Sequence, residues 1–230
     1  MSEHTTHVAF RSTDYLHEIT DSFITRMRNN PSKPEPATIE KIMDAFIQEV
    51  LKNFFITPTE LTKVPPSTQK VVNFAAETIT KASNVVIRST AKKLDVQQNR
   101  DVAEYMDLMR FQKDELWYVA FPLKDTLAAK ARDAFNTALE GSSQEAIPKI
   151  VDYVHELTDV ALVWYFEEPL KLLKFGPILR KVAEVGVATA RKVTHSLIDR
   201  VIPTLDEEQL KISAKFGLAM LVDGPKRHDA

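Results

Sequence analysis

Two histidines of this 230-residue chain follow an aspartate at a spacing that can bind metal. Asp14 precedes His17 by three residues, and Asp152 precedes His155 in the same way, each within a stretch predicted to be helical. A carboxylate and a histidine at this spacing hold di-iron in helical bundles when both project inward. At 100° per residue, however, both pairs lie off the apolar stripes of their helices. They are expected to face water, so the sequence predicts no metal site and no cofactor.

No other pattern for catalysis stands out. The chain has no cysteine, which excludes thiolate nucleophiles, disulfides and cysteine-bound metals. It has only five glycines, and it contains neither a Gly-x-Ser-x-Gly turn nor a glycine-rich phosphate loop. We therefore predict no catalytic residue.

A row of basic side chains is the clearest candidate for contact with an anionic partner. Its members lie on one side of the third predicted helix and recur in part on a similar helix later in the chain: Lys70, Lys81, Arg88 and Lys92, then Lys181 and Lys192. Positive charges in line suit phosphates or anionic lipid headgroups. The alternative is a solvated helix face with extended lysines, since Glu77 lies in the same row.

The overall charge points to no particular partner. Thirty basic and 32 acidic residues leave a net charge of −2, so nucleic acid is not expected to bind. Residues 1–6 lack the pattern of a secretory signal, and the longest uncharged apolar run, 160–166, is too short to span a bilayer. These features predict a cytoplasmic protein without a transmembrane segment.

Helices joined by short proline-containing loops are predicted for nearly the whole chain. Apolar residues recur at three- and four-residue steps, and the twelve prolines fall mostly between these stretches. Ser67 is the predicted N-cap of the long third helix. The pairs Ser142 with Glu145 and Thr204 with Glu207 have the spacing of a capping box. No run alternates as strands do, so no sheet is expected and the predicted fold class is all-α.

The chain matches itself when it is shifted so that Phe54 and Phe55 align with Tyr165 and Phe166. We call this displacement the repeat shift. Between residues 39 and 110, 17 of the 72 positions are identical to their counterparts, where composition alone gives about four or five. Chance is therefore a poor explanation for the match.

A tandem duplication of a four-helix unit accounts for this self-similarity. Residues 1–117 are the predicted first unit and residues 118–230 the second. About eight main helices with pseudo-two-fold symmetry follow from this pattern. The units form either adjacent bundles or one intertwined domain.

The second helix of the unit differs in polarity between the two copies. Three polar residues that are expected to face water are replaced by apolar ones: Glu49, Lys52 and Asn53 by Val160, Val163 and Trp164. Tryptophan is frequent at binding hot spots, so the apolar three are predicted to contact a second chain or an apolar ligand. The alternative is that residues 218–222 or the other unit cover them within the chain.

Three classes of function remain open at this point. A non-enzymatic interaction or assembly protein is favoured, because a duplicated helical scaffold offers broad apolar faces without catalytic motifs. The alternative is a carrier or sensor of a small apolar ligand bound between the units. Its cavity would be lined by Met43, Phe46, Phe54, Phe74 and their counterparts. An enzyme without a recognisable motif is the third class.

Overall fold

The structure, a computed structural model, describes residues 4–226, which are mostly helical and include one small sheet. Within these residues ten helices follow one another: α1 (Asp14–Arg28), α2 (Pro36–Leu51), α3 (Thr57–Leu61), α4 (Pro66–Ala91), α5 (Val96–Leu108), α6 (Asp125–Glu140), α7 (Ser143–Leu162), α8 (Glu168–Leu172), α9 (Pro177–Val201) and α10 (Glu207–Ala219). Eight of them are long, whereas α3 and α8 have five residues each. No helix in this part of the chain is long and apolar enough to cross a membrane.

Polar N-caps set where several helices begin, and the start predicted at Ser142 is confirmed. Its hydroxyl accepts the backbone N–H of Glu145 at the first turn of α7. The start predicted at Thr204 is wrong by two residues. Asp206 caps α10 instead: its carboxylate accepts the backbone N–H of Gln209, and its own backbone N–H donates to the side-chain oxygen of Gln209.

The long helix α4 begins at a proline. The N-cap predicted at Ser67 is wrong, because α4 begins at Pro66 and has no side-chain cap. Proline suits this place because the first turn of a helix has no internal partner for the N–H that proline lacks. The helix itself is present as predicted.

A four-stranded antiparallel sheet corrects the expectation that the chain has none. Its strands are β1 (His4–Arg11), β2 (Arg110–Lys113), β3 (Leu116–Pro122) and β4 (Leu221–Pro225), in the spatial order β2-β3-β1-β4. At the centre β1 pairs with β3, and Ala9 lies opposite Ala120. Val8 and Phe121 pack on the helices, while both alanines cluster with Phe111 on the other face. Central strands that are buried on both faces lack polar alternation, which is why periodicity does not reveal them.

The helices α4 and α9 pack against each other through buried residues that include Ile79 and Ala190. Their closest approach involves Gly186, where an added Cβ would lie 2.6 Å from Cγ2 of Val86. A side chain at position 186 would therefore push the two helices apart or displace the valine.

The elements from β1 to β2 follow the same order as those from β3 to β4. A π-helical segment precedes α3 at Lys52–Ile56, and another precedes α8 at Val163–Glu167. Lys63 and Lys174 end the short helices with the same positive φ of 50°. Residues 4–113 are called the N-terminal half below, and residues 116–225 the C-terminal half.

Candidate ligand cavities

An apolar cavity lies among α1, α2, α4 and α5 of the N-terminal half. This first cavity has a volume of about 160 Å³ and is lined by side chains such as Ile42, Phe46 and Ile87. Residues 117–119 and residues from 164 to 175, both of the C-terminal half, form the remaining wall. A dry apolar cavity of about 150 Å³ is known to hold benzene, so the first cavity has room for one small ring.

A second cavity occupies the matching place among α6, α7, α9 and α10. Its volume is about 280 Å³, and residues from 50 to 64 of the N-terminal half complete its wall together with Val8, Val72 and Ile79. Its lining corresponds to that of the first cavity under the repeat shift, with Leu157 in the place of Phe46 and Ile198 in the place of Ile87. Each half therefore contributes walls to both cavities.

The π-helical segments bring aromatic side chains to these walls. Pro58 and Pro169 follow the two segments closely, and a proline cannot donate the hydrogen bond that continues an ordinary helix. The wider turn before each proline places Phe54 and Phe55 at the second cavity and Trp164 at the first. Such π-helical turns occur frequently at functional sites.

Tyr165 borders both cavities and carries a hydroxyl group with no hydrogen-bond partner among the residues described. The residue is only 8% exposed, and the rings of Phe46 and Phe121 pack edge-on against it at 5.0 and 5.3 Å. Burial, with a smaller effect of Tyr105, raises the pKa of Tyr165 above its ordinary value, so the hydroxyl stays protonated. An unpaired buried hydroxyl costs about 1–3 kcal/mol.

The hydroxyl of Tyr105, by contrast, is paired. It donates to the backbone carbonyl of Trp164 at 2.6 Å, which joins α5 to the π-helical segment of the other half. Burial, followed by the charge of Glu168, raises the pKa of Tyr105. Under the repeat shift Tyr105 and Tyr165 correspond to Phe216 and Phe54, so this pair of hydroxyls has no counterpart at the second cavity.

The first cavity also has a polar end built around Arg110. This buried guanidinium donates to Asp21 at 2.8 Å and to Asp107 at 3.1 Å. It lies 4.7 Å from the ring centroid of Trp117, and His17 stacks on the same ring at 4.5 Å. A guanidinium group only donates, so Nδ1 of His17, 3.3 Å from Arg110, acts as acceptor.

Acidic groups outnumber basic ones at this end. Arg28 donates to Glu104 and to Asp107, in each case at 2.8 Å, so two guanidinium groups are shared among three carboxylates. An additional anion would meet a small excess of negative charge, whereas a neutral molecule would not. The corresponding positions of the C-terminal half hold Leu221 for Arg110 and Ala128 for His17, and neither residue lines the second cavity.

The residues proposed from the sequence for a ligand cavity divide into two groups. Met43, Phe46 and Tyr165 line the first cavity, while Phe54, Val154 and Leu157 line the second. Phe74 and its counterpart Val185 are exposed and line neither cavity. No sequence pattern indicated the polar end, because its members come from α1, α5, β2 and β3, which meet only in the fold.

The apolar patch predicted on α7 lies partly inside the chain. Val160 and Trp164 are half-buried and pack against a core cluster that contains Phe121, and Trp164 also lines the first cavity. Val163 is half-buried as well. The expectation that Glu49 faces water is wrong, since this carboxylate is buried and accepts hydrogen bonds from Thr13. A contact of the patch with a second chain remains a prediction.

The basic row lies on the outside of the molecule. Its six residues are exposed on α4, just after α4, and on α9: Lys70, Lys81, Arg88, Lys92, Lys181 and Lys192. Lys81 contacts Glu77 at 3.8 Å, and both side chains remain largely exposed. The ammonium groups are therefore accessible to a partner.

The two aspartate–histidine pairs do not converge. Asp152 binds Lys130 at 2.7 Å, and His155 stacks on His195 of α9 with ring centroids 4.4 Å apart. The nearest carboxylate to Nε2 of His155 is that of Asp199, at 3.0 Å. Among the residues described, no group of three or more His, Cys, Asp or Glu side chains is placed to hold a metal ion.

Comparison of the chain with protein-family models, with curated proteins and with solved structures finds no match. The functional assignment below therefore rests on the geometry of the chain itself.

Proposed function

We propose that this protein binds small apolar molecules in its two cavities and acts as their carrier or sensor. The observation that carries this proposal is the pair of apolar cavities at matching places, both bordered by Tyr165, whose hydroxyl has no hydrogen-bond partner among the residues described. A polar group left unsatisfied in a folded protein is a defect unless another molecule pairs with it. A ligand with one acceptor atom would remove that defect.

Size and charge narrow the class of ligand. The first cavity, at about 160 Å³, suits a single ring or a short chain, and the second, at about 280 Å³, suits a larger hydrocarbon. The excess of carboxylates around Arg110 favours a neutral ligand over an anion. We therefore expect small neutral aromatic or aliphatic molecules, with a ketone or ether oxygen tolerated in the first cavity.

The paired cavities are attributed to duplication of one unit. Support comes from the two π-helical segments, which correspond residue for residue under the repeat shift, and from Ala9 pairing with Ala120, its own counterpart, at the centre of the sheet. Because each half completes the cavity of the other, the units 1–117 and 118–230 would form one intertwined domain. On this view the duplication produced both cavities, and the polar groups around Arg110 were afterwards gained by the first cavity or lost from the second.

An interaction or assembly function is the second candidate. It rests on the half-buried side chains of Val160, Val163 and Trp164. The double change Val163→Lys with Trp164→Asn gives this surface the polarity of the N-terminal half. Loss of a native oligomer would support assembly, whereas loss of binding in the first cavity without a change in mass would support the ligand proposal.

Cavity-filling variants test the ligand proposal. Val102 lines the first cavity and Ser213, its counterpart, lines the second. We expect calorimetric titration with benzene to give two sites in the wild type and one in Val102→Phe or Ser213→Phe, because each ring occupies its own cavity. The variant with both changes should bind none.

The two single variants serve as controls for each other. Circular dichroism and thermal unfolding establish that each is folded before its titration is interpreted. If the folded wild type takes up no benzene, or if neither phenylalanine alters the number of sites, the cavities are not ligand sites.

A further inference from the structure

Large apolar side chains are exposed along the outer sides of α4 and α9. The exposed fractions are 70% for Phe74, 58% for Val85, 82% for Ile178 and 60% for Val185. The two helices pack against each other through their inner sides, so these residues lie on sides turned away from the core. We call this surface, together with the basic row, the α4–α9 face.

The two helices of the α4–α9 face carry an excess of basic residues. Residues 66–93 and 177–201 carry ten basic and three acidic side chains, whereas the remainder carries 20 basic and 29 acidic ones. Of the three acidic residues, Asp199 approaches His155 and Glu77 contacts Lys81, which leaves Glu184 without an ion pair among the residues described. Arg191 pairs with Asp159 and Glu167 of neighbouring elements. The other basic side chains still leave these two helices net positive in a chain whose net charge is −2.

We propose that the α4–α9 face docks on the surface of an anionic lipid bilayer. A bilayer of this kind is bound by basic side chains that alternate with exposed large apolar ones. The basic groups bind the lipid headgroups, and the apolar groups enter the boundary between headgroups and acyl chains. Each basic residue near an anionic surface contributes about 1 kcal/mol to the free energy of binding. Salt screens this attraction, so binding should weaken as salt is added.

Charge and side-chain type argue against the other occupants of this face. A second copy that docked symmetrically through the same face would bring two positive surfaces together, which is repulsive. Nucleic acid would match the charge, but three of the four exposed apolar side chains are aliphatic, and only Phe74 offers an aromatic surface on which a base could stack. Lipid is the partner that uses both features of the face.

The face also adjoins the first cavity along the chain. Leu172 at the end of α8 lines that cavity and is 40% exposed, and α9 with Ile178 begins a few residues later. The docking proposal does not require that the cavities bind a ligand.

Vesicle sedimentation tests the proposal on the full chain. We expect the protein to sediment with vesicles of phosphatidylcholine that contain about 30 mol% phosphatidylglycerol, and not with pure phosphatidylcholine. The variant Lys81→Glu with Lys192→Glu should bind the anionic vesicles at least about tenfold more weakly than the wild type. The variant Phe74→Ser with Ile178→Ser should show a similar loss. Added salt should weaken wild-type binding.

A matched charge reversal away from the face is the control. Lys124 and Lys215 are exposed on other elements, so Lys124→Glu with Lys215→Glu changes the net charge equally and should retain binding. All variants change exposed side chains, and circular dichroism checks that they are folded. Equal loss in the control variant, no sedimentation of the wild type, or binding of a DNA duplex but not of anionic vesicles would overturn the proposal.

Discussion

The side-chain amide of Gln98 donates a hydrogen bond to the backbone carbonyl of Leu173 at 2.6 Å. This bond joins the first turn of α5 to the end of α8 in the other half. Gln209, the counterpart of Gln98 under the repeat shift, donates to the carbonyl of Thr62 at 3.0 Å, at the end of α3. Each short helix that helps to close a cavity is thus fastened by a glutamine of the opposite half.

Removal of these amides should loosen the connection between the halves. The side-chain oxygen of each glutamine also accepts a hydrogen bond from the backbone N–H of the N-cap aspartate of its helix, so a change to alanine removes two bonds at once. We expect Gln98→Ala and Gln209→Ala each to lower the free energy of unfolding by about 1–2 kcal/mol in urea titrations.

Gln97→Ala is the control for this prediction. Gln97 is exposed and binds only Asp101 on its own helix, so its loss should change stability by less than about 0.5 kcal/mol. Equal effects at positions 97 and 98 would contradict the fastening role.

The close approach of α4 and α9 gives a prediction at Gly186. Alanine is a better helix former than glycine by about 1 kcal/mol, but the added Cβ would meet Val86, and overpacking costs about 1–3 kcal/mol. We expect Gly186→Ala to be destabilising in thermal unfolding, and Val86→Ala to be less harmful in that background than in the wild type. At Gly176 an added Cβ meets nothing within 4 Å, so Gly176→Ala should be nearly neutral.

Stabilisation by Gly186→Ala, or simple additivity with Val86→Ala, would mean that the helices adjust without strain. Either result would contradict the close contact described for α4 and α9.

Local sequence signals predicted the helices well because they depend on neighbours along the chain. The apolar spacing from Leu16 to Met27 indicated α1, and Ser142 marked the start of α7. Two capping patterns overlap near α10: the sequence prediction took the one that starts at Thr204, whereas the structure has the one that starts at Asp206. The sheet was missed because its pairing joins strands from both halves and both ends of the chain.

The candidate site was less predictable than the helices. Periodicity identified Met43 and Phe46 as inward-facing, and both line the first cavity. The same reasoning predicted Phe74 at the cavity, but α4 buries the neighbouring residues Val72 and Ala75 and leaves Phe74 exposed. Whether inward-facing residues leave a cavity depends on how well the opposite half fills the space, and this is a property of packing in three dimensions.

The unpaired hydroxyl of Tyr165 should lower the stability of the unliganded protein. Phenylalanine, the residue found at the corresponding position 54, removes the buried polar group at nearly constant shape. We expect Tyr165→Phe to raise the free energy of unfolding by about 1 kcal/mol at neutral pH, and Tyr105→Phe to lower it by a similar amount because that hydroxyl is paired. Equal losses in both variants would show that Tyr165 has a hydrogen-bond partner.

Alkaline pH provides a separate test of the same residue. Burial raises the pKa of Tyr165 in the folded protein above the value of about 10 in the unfolded chain. Ionisation of Tyr165 therefore leaves the free energy of unfolding unchanged below about pH 10. Above this pH, ionisation in the unfolded chain lowers the free energy of unfolding, by up to about 1.4 kcal/mol per pH unit. The stability of Tyr165→Phe should fall less steeply than that of the wild type in this range, and parallel curves would contradict the raised pKa.

Methionine methyl groups provide the most direct test of the ligand proposal. Met43, Met106 and Met109 line the first cavity, Met220 lines the second, and the buried Met27 lines neither. In NMR spectra of isotope-labelled methionine methyl groups, benzene should shift the signals of the four cavity residues in a saturable way and leave that of Met27 unchanged. Unchanged cavity signals at saturating benzene, or an equal drift of all five, would contradict binding in the cavities.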